Sequence, residues 1–170
     1  MQARIDIDHD DDQWLKILPN HKPFISQTIA VCLKKFARHK LFQNKKTIEV
    51  SVLLSHDDYM QKINEQYRDQ DKPTNVLSFA TANDYENPLI QDHENDPELM
   101  LGDLVFARET IEREAKEQNK PLEHHMRHLI IHGTLHLLGF DHIEDNEAER
   151  MEAIETDLLA FFKVPNPYQS

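Results

Sequence analysis

Residues 132–142 read HGTLHLLGFDH, and three histidines spaced around one glycine limit what this chain can be more than any other stretch of it. On a helix, His132 and His136 lie about 40° apart around the axis and about 6 Å along it. Both imidazoles can therefore reach one ion at about 2.0–2.1 Å. A third ligand from a further turn of the same straight helix could not converge on that ion. Gly139 supplies the break: without a Cβ it takes positive φ, ends the helix and turns the chain so that His142 comes back toward the metal. Three neutral histidines would hold one Zn²⁺ per chain and leave a fourth tetrahedral position open to water, as in catalytic rather than structural zinc sites.

Eleven histidines in 170 residues make chance pairs easy, and His124/His128 and His128/His132 also stand four apart. The pair alone is thus a weak signal, and the triple with Gly139 in place is the strong one. His124, His125 and His128 are expected on the helix surface or as groups that support a ligand from behind. Asp141, next to His142, can orient a metal-bound imidazole through its other nitrogen, although a helix C-terminal turn also holds Asp for no catalytic reason. The spacing matches the zinc-protease pattern H-E-x-x-H-x-x-G-x-x-H at every fixed position except one, where Gly133 replaces the glutamate. Peptide hydrolysis needs that glutamate as base and then acid toward a poor amine leaving group. Phosphodiester cleavage chiefly needs charge on the non-bridging oxygens, which a metal and an arginine can supply. Gly133 therefore disfavours a protease and permits a nuclease.

With 39% hydrophobic residues and only three glycines, 170 residues suit one ordinary core, so 1–170 is expected to be a single domain. Cys32 is the only cysteine, which excludes an intrachain disulfide or a Cys-rich metal site and suits a reducing cytosol. The acidic N-terminus MQARIDIDHDDD has no apolar leader character, and no run approaches the roughly 18 apolar residues of a membrane span, so a soluble cytoplasmic protein is expected. A net charge of −12 argues against coating nucleic acid with the whole surface. One segment departs from that average. KKFARHKLFQNKK, 34–46, carries Lys34, Lys35, Arg38, Lys40, Lys45 and Lys46 and no acid. Taken alone it reads as a solvated face; its sharper reading is a phosphate-backbone contact.

The periodicity predicts strands at 3–8, 47–55, 75–81 and 101–107, and helices at about 22–40, just after Ser55 through Tyr67, 108–119, 121–138 and 146–163. Ser55 and Asp58 have capping-box spacing, and Pro73 closes that helix region. Pro121 fits a first helical turn and Gly139 a helix stop. A polar, Pro-containing excursion joins the third and fourth strands. The order βαβαββααα implies an α+β fold with a small mixed four-stranded sheet, about five helices and the zinc site at the end of the fourth helix.

HGTLHLLGFDH resembles the H-G-x-L-H-L-x-G-x-D-H signature of the YbeY family, bacterial metal-dependent endoribonucleases of ribosomal RNA maturation and ribosome quality control. INEQYRDQDKPTNVLSFA, 63–80, is similar to that family's N-x-x-Y-R-x-x-D-x-P-T-D-V-L-S-F-P segment, and LGDLVFA to its L-G-D-I strand. Asn75 and Ala80 depart from the usual aspartate and proline. The resemblance implies zinc on His132, His136 and His142, and Arg68 in the cleft, where its planar guanidinium can clamp a phosphate. An arginine at a helix C-terminus otherwise just complements the dipole. Ser78 and Asp103 fall in the matched segments as candidate substrate contacts whose side chains could equally satisfy backbone groups. Lys34, Lys35 and Arg38 are candidate substrate-binding residues. The implied partners are single-stranded ribosomal RNA and the small ribosomal subunit, with no membrane and no DNA. The competing expectations are a metallopeptidase-like hydrolase with a base recruited from outside the helix, and a non-catalytic ribosome-assembly factor with structural zinc.

Overall fold

The computed structural model describes residues 1–81, 95–141 and 144–169. Strand β1 (Gln2–His9) alternates in burial, as a strand with one covered face must. Strand β2 (Thr47–Ser55) is the most buried along its length, because it lies inside the sheet. Strands β3 (Val76–Phe79) and β4 (Glu98–Ala107) complete a sheet of order β1-β2-β4-β3. The β1/β2 and β2/β4 pairs are parallel and β3/β4 is antiparallel, so the expected mixed four-stranded sheet is present. The register slips between Glu49 and Val50, whose partners Met100 and Gly102 leave Leu101 extra on β4. Gly102 takes φ 155° at this bulge, and a Cβ there would sit 2.2 Å from the Phe79 carbonyl oxygen. Only glycine lets β3 and β4 approach so closely.

Six α-helices occur among the described residues: α1 (Gln13–Ile17), α2 (His21–Lys35), α3 (Asp57–Arg68), α4 (Arg108–Glu117), α5 (Leu122–Leu137) and α6 (Asp145–Phe161). Helix α1 was not expected. It is one turn long, too short for a periodic pattern, and is held by Trp14, which is fully buried and donates its indole N–H to the Ser55 carbonyl at 2.7 Å. Among the described residues the order is therefore βααβαββααα rather than βαβαββααα. Helix α2 stops at Lys35, five residues early, and Lys40–Phe42 form a separate 3₁₀ turn capped by His39. The capping box at Ser55 does not form, since Ser55 is buried at the end of β2 with its hydroxyl on Asp10 at 3.0 Å. His56 caps α3 instead, its Nδ1 accepting from the Tyr59 N–H. Asp69, left-handed at φ 54°, ends α3 before Pro73 is reached. Pro121 is the N-cap of α5 rather than its first helical residue. The excursion expected after β3 lies mostly outside the described residues.

The sheet separates two apolar clusters. Ile48, Val50, Val52, Leu54, Leu104 and Phe106 meet α2, α5 and α6 on one face, with Ile25, Ile29, Met126, Ile130 and Leu159. On the other face, α3 covers a smaller cluster of Leu77, Val105 and Ala107 with Met60 and Ile63, flanked by Leu53 and Phe79. Burying each such side chain is worth roughly 1.5–3 kcal/mol, so the first face anchors the fold. Helix α5 runs through that larger core, touching α2, α4, α6, β3 and β4. It is buried on nearly all sides, and His128, His132 and His136 lie on its half-exposed strip. No helix among the described residues is long and apolar enough to cross a membrane.

Candidate active site

Gly139 ends α5 as the spacing predicts. At φ 95° its N–H bonds the His136 carbonyl at 3.0 Å, while Phe140 N–H bonds the Leu135 carbonyl at 3.0 Å, the paired bonds of a Schellman stop. The turn leaves the Phe140 carbonyl 2.9 Å from His136 Nδ1. A carbonyl can only accept, so the His136 proton sits on Nδ1 and its Nε2 carries a lone pair. His132 is fixed the same way by a different group, its Nδ1 lying 2.7 Å from Glu155 Oε1. The two Nε2 atoms stand 3.1 Å apart. That is close to the roughly 3.3 Å edge of a tetrahedron of ligands at about 2.05 Å, and two lone pairs at this distance fit a cation between them. His142, the third expected ligand, lies outside the described residues. Among those residues, no group of three or more His, Cys, Asp or Glu side chains is arranged to hold a metal.

Glu155 went unnoticed in the sequence. It is 1% exposed on α6, and its Oε2 receives His128 Nε2 at 2.8 Å and the Tyr168 hydroxyl. Burial by itself would push its carboxyl up, but the hydrogen bonds from His128, His132 and Tyr168 prevail and lower it to about 2. Burial first, and then the Glu155 charge, raise Tyr168, which stays a donor. A signal for Glu155 did exist. It falls between Met151 and Leu158–Leu159 on the buried stripe of α6, where an unpaired charge is not tolerated. His128 reaches Glu155, and His125 is buried rather than on the surface.

His132 and His136 open into a cleft of about 890 Å³ whose lining includes Arg68, Lys72, Asn75, Ser78, Glu114 and Asp141. Arg68, the last residue of α3, is exposed and donates from Nη2 to the Ser78 carbonyl at 3.3 Å, which turns it toward the histidines' cleft. Ser78 Oγ bonds the Gly133 carbonyl at 3.2 Å, so its hydroxyl joins β3 to α5. Asp141 lines the cleft, while the groups that orient His132 and His136 are Glu155 and the Phe140 carbonyl. Asp103 lies away from this cleft, on the α3 face of the sheet beside Asp6, Asp8 and Ser51. Lys34, Lys35 and Arg38 are exposed and do not line the cleft. Between them in sequence, the Phe36 ring packs on Phe140 with centroids 5.2 Å apart.

Gly133 explains the missing glutamate. A Cβ there would meet Leu104 Cδ2 at 2.9 Å and Ser78 Oγ at 3.3 Å, because α5 rests directly on β3 and β4 at this point. The position faces the sheet, and a side chain there would have to displace Leu104 and Ser78. Asn75 has a local reason too: its amide nitrogen lies 3.0 Å from both oxygens of Glu114, where an aspartate would set two carboxylates against each other.

The chain matches the model of the family named Endoribonuclease YbeY over residues 10–163. It is 48% identical over 122 residues to the endoribonuclease YbeY of Magnetococcus marinus, covering 71% of this chain and 83% of that one. Identity to the protein of the same name from Sinorhizobium fredii is 50% over 120 residues, 71% of this chain and 65% of that one. With the Rhizorhabdus wittichii protein it is 51% over 122 residues, 71% and 70% of the two chains. The solution structure of TM1509 from Thermotoga maritima is similar with a TM-score of 0.50 and 24% identity, over 98% of this chain and 96% of that one, a likeness of fold alone. A family match from residue 10 to residue 163 and relatives identical at about half of the aligned positions lead to one conclusion: this chain belongs to the YbeY family of endoribonucleases.

Proposed function

We propose that this protein is a zinc-dependent endoribonuclease that cuts single-stranded ribosomal RNA during its maturation and in ribosome quality control, acting in the cytoplasm on the small ribosomal subunit. The observation that carries the reading is the pair of Nε2 atoms 3.1 Å apart, each imidazole held by its Nδ1, in one cleft with Arg68. His132 and His136, with His142 as the third ligand, would hold the ion. Zn²⁺ when bound supplies Lewis-acid stabilisation of charge on a phosphoryl oxygen. Glu155 and the Phe140 carbonyl keep both imidazoles in the ligating tautomer and orientation. Arg68 has five N–H donors, and with one directed to Ser78 the guanidinium can meet two phosphate oxygens in parallel. Ser78 contributes through its carbonyl, which aims Arg68, and Asp141 borders the same space. The packing at Gly133 weighs against a metallopeptidase, since the motif's base would have to displace Leu104 and Ser78 at that position.

Arg68→Ala tests the reading directly. The fold and the metal should persist while cleavage of a single-stranded RNA falls about 10²-fold, the scale of losing one charge-stabilising donor. Arg68→Lys should recover only part, because an ammonium lacks the fork. Wild-type cleavage by Arg68→Ala would remove the clamp, and an assembly factor without catalysis would show no RNA cleavage in any variant.

The basic segment supplies approach rather than chemistry in this reading. Lys34, Lys35 and Arg38 are exposed beside Phe36, which packs on the turn that carries the Phe140 carbonyl. Replacing all three by Gln should weaken single-stranded RNA binding and reduce the slope of log K against log salt by about 2, with activity at saturating RNA close to normal. Superimposable salt slopes for wild type and the triple variant would take the patch out of the mechanism.

A further inference from the structure

We propose that the end of the cleft away from His132 and His136 is a nucleobase subsite in which Glu114 accepts a hydrogen bond from the amino group of one base; this rests on the endoribonuclease reading above. Glu114 belongs to α4, lines the same cleft as the two histidines, and keeps 23% of its side chain exposed there. Its place along the cleft follows from His125, whose Nε2 lies 3.0 Å from Glu114 Oε2. His125 is seven residues before His132, so the two project from one side of α5 about 10 Å apart along the axis. That offset along α5 places Glu114 further along the cleft than the histidine pair. It suits a contact to the nucleotide next to the scissile phosphate. Arg68 and Lys72 line the cleft as well and can serve the intervening backbone.

The chemistry of this end is one-sided. His125 is 4% exposed, and its Nδ1 has no partner among the described residues, so its proton belongs on Nε2, where Glu114 accepts it. The Asn75 amide nitrogen points to both Glu114 oxygens, and Asn75 Oδ1 accepts the Val76 N–H at 2.7 Å. Thr110, also on the lining, directs its hydroxyl to Asp57 at 2.7 Å. Burial would raise the Glu114 carboxyl, but the hydrogen bonds from His125 and Asn75 outweigh it and lower it, so Glu114 remains an anionic acceptor. A carboxylate has about four lone-pair directions, and the three protein contacts leave one for the cleft. His125, Asn75 and Thr110 are thus directed into the protein, so a ligand that binds Glu114 must bring its own donor. Cytosine, adenine and guanine each carry an exocyclic amino group; uracil places carbonyl oxygens on both sides of its one N–H and is repelled by the carboxylate.

The test uses the full chain and four probes, the 3′-monophosphates of cytidine, adenosine, guanosine and uridine, with binding followed by calorimetry. At least one amino-bearing nucleotide should bind about 10-fold or more tightly than uridine monophosphate, since a site built around a hydrogen bond rejects the ligand that lacks it. Glu114→Gln, which nearly preserves shape and adds a donor, should erase that preference. N4,N4-dimethylcytidine monophosphate probes the same contact on the wild-type protein, so a variant that fails to fold does not decide the matter; it should bind as weakly as the uridine compound. Equal affinity for all four nucleotides, or a preference unchanged in folded Glu114→Gln, overturns the subsite. RNA cleavage is measured separately. Absence of cleavage by metal-loaded wild type would overturn the endoribonuclease reading while the nucleotide discrimination stood on its own.

Discussion

Glu155→Ala should destabilise the protein by about 3–5 kcal/mol and weaken metal binding about 10–100-fold at once, although Glu155 touches no metal. Its carboxylate is 1% exposed and is shared by His132 at 2.7 Å, His128 at 2.8 Å and the Tyr168 hydroxyl. Truncation removes the acceptor these donors share and leaves a cavity beside the His132 ring. The pH dependence has a definite sign. The folded-state value, about 2, lies below the ordinary 4.5, so Glu155 contributes stability that is fully present above the ordinary value and lost as pH falls through about 2. At about 1.4 kcal/mol per unit the shift is worth on the order of 3 kcal/mol. Urea denaturation of wild type and Glu155→Gln between pH 6 and pH 2 should therefore converge toward the acid end, because Gln cannot titrate. Parallel stability curves across that range would show that Glu155 is not held as a carboxylate by its three partners.

His136→Ala should abolish RNA cleavage and reduce metal affinity by more than the ~100-fold that loss of a supporting group costs, since it would remove one of the three proposed ligands. Elemental analysis of protein purified with and without added zinc reads this directly, and wild type should carry about one zinc per chain. Binding should weaken on acidification, because an imidazolium cannot ligate. Undiminished zinc in both His136→Ala and His142→Ala would sink the three-histidine assignment. The Glu155 and His136 variants are separable by their patterns. Glu155→Ala lowers stability even in apo protein, whereas His136, half-exposed in the cleft, should leave apo stability nearly unchanged.

The parts of this protein that were legible in its sequence are those written over a turn or two of chain. Alternation in ARIDID, the apolar run TIEVSVLLS and the helical recurrence of Ile25, Ile29 and Cys32 report which face of an element is covered, and burial must follow them. The His132/His136 pair and the Gly139 stop are local in the same sense, as helix pitch sets the first and backbone freedom at positive φ the second. Periodicity carries no information about which element supplies a partner. Glu155 reaches His132 from 23 residues away, Arg108 binds Asp11 across 97, and Ser55 turned from a predicted cap into a buried partner of Asp10 across 45. One-turn α1 left no pattern at all, and Trp14 holds it by packing against the end of β2. Gly133 shows the division most clearly. The sequence determined that the protease glutamate is absent, but only the tertiary structure gave the reason: α5 lies on β3 and β4 so closely that Leu104 and Ser78 already occupy the space a side chain would need.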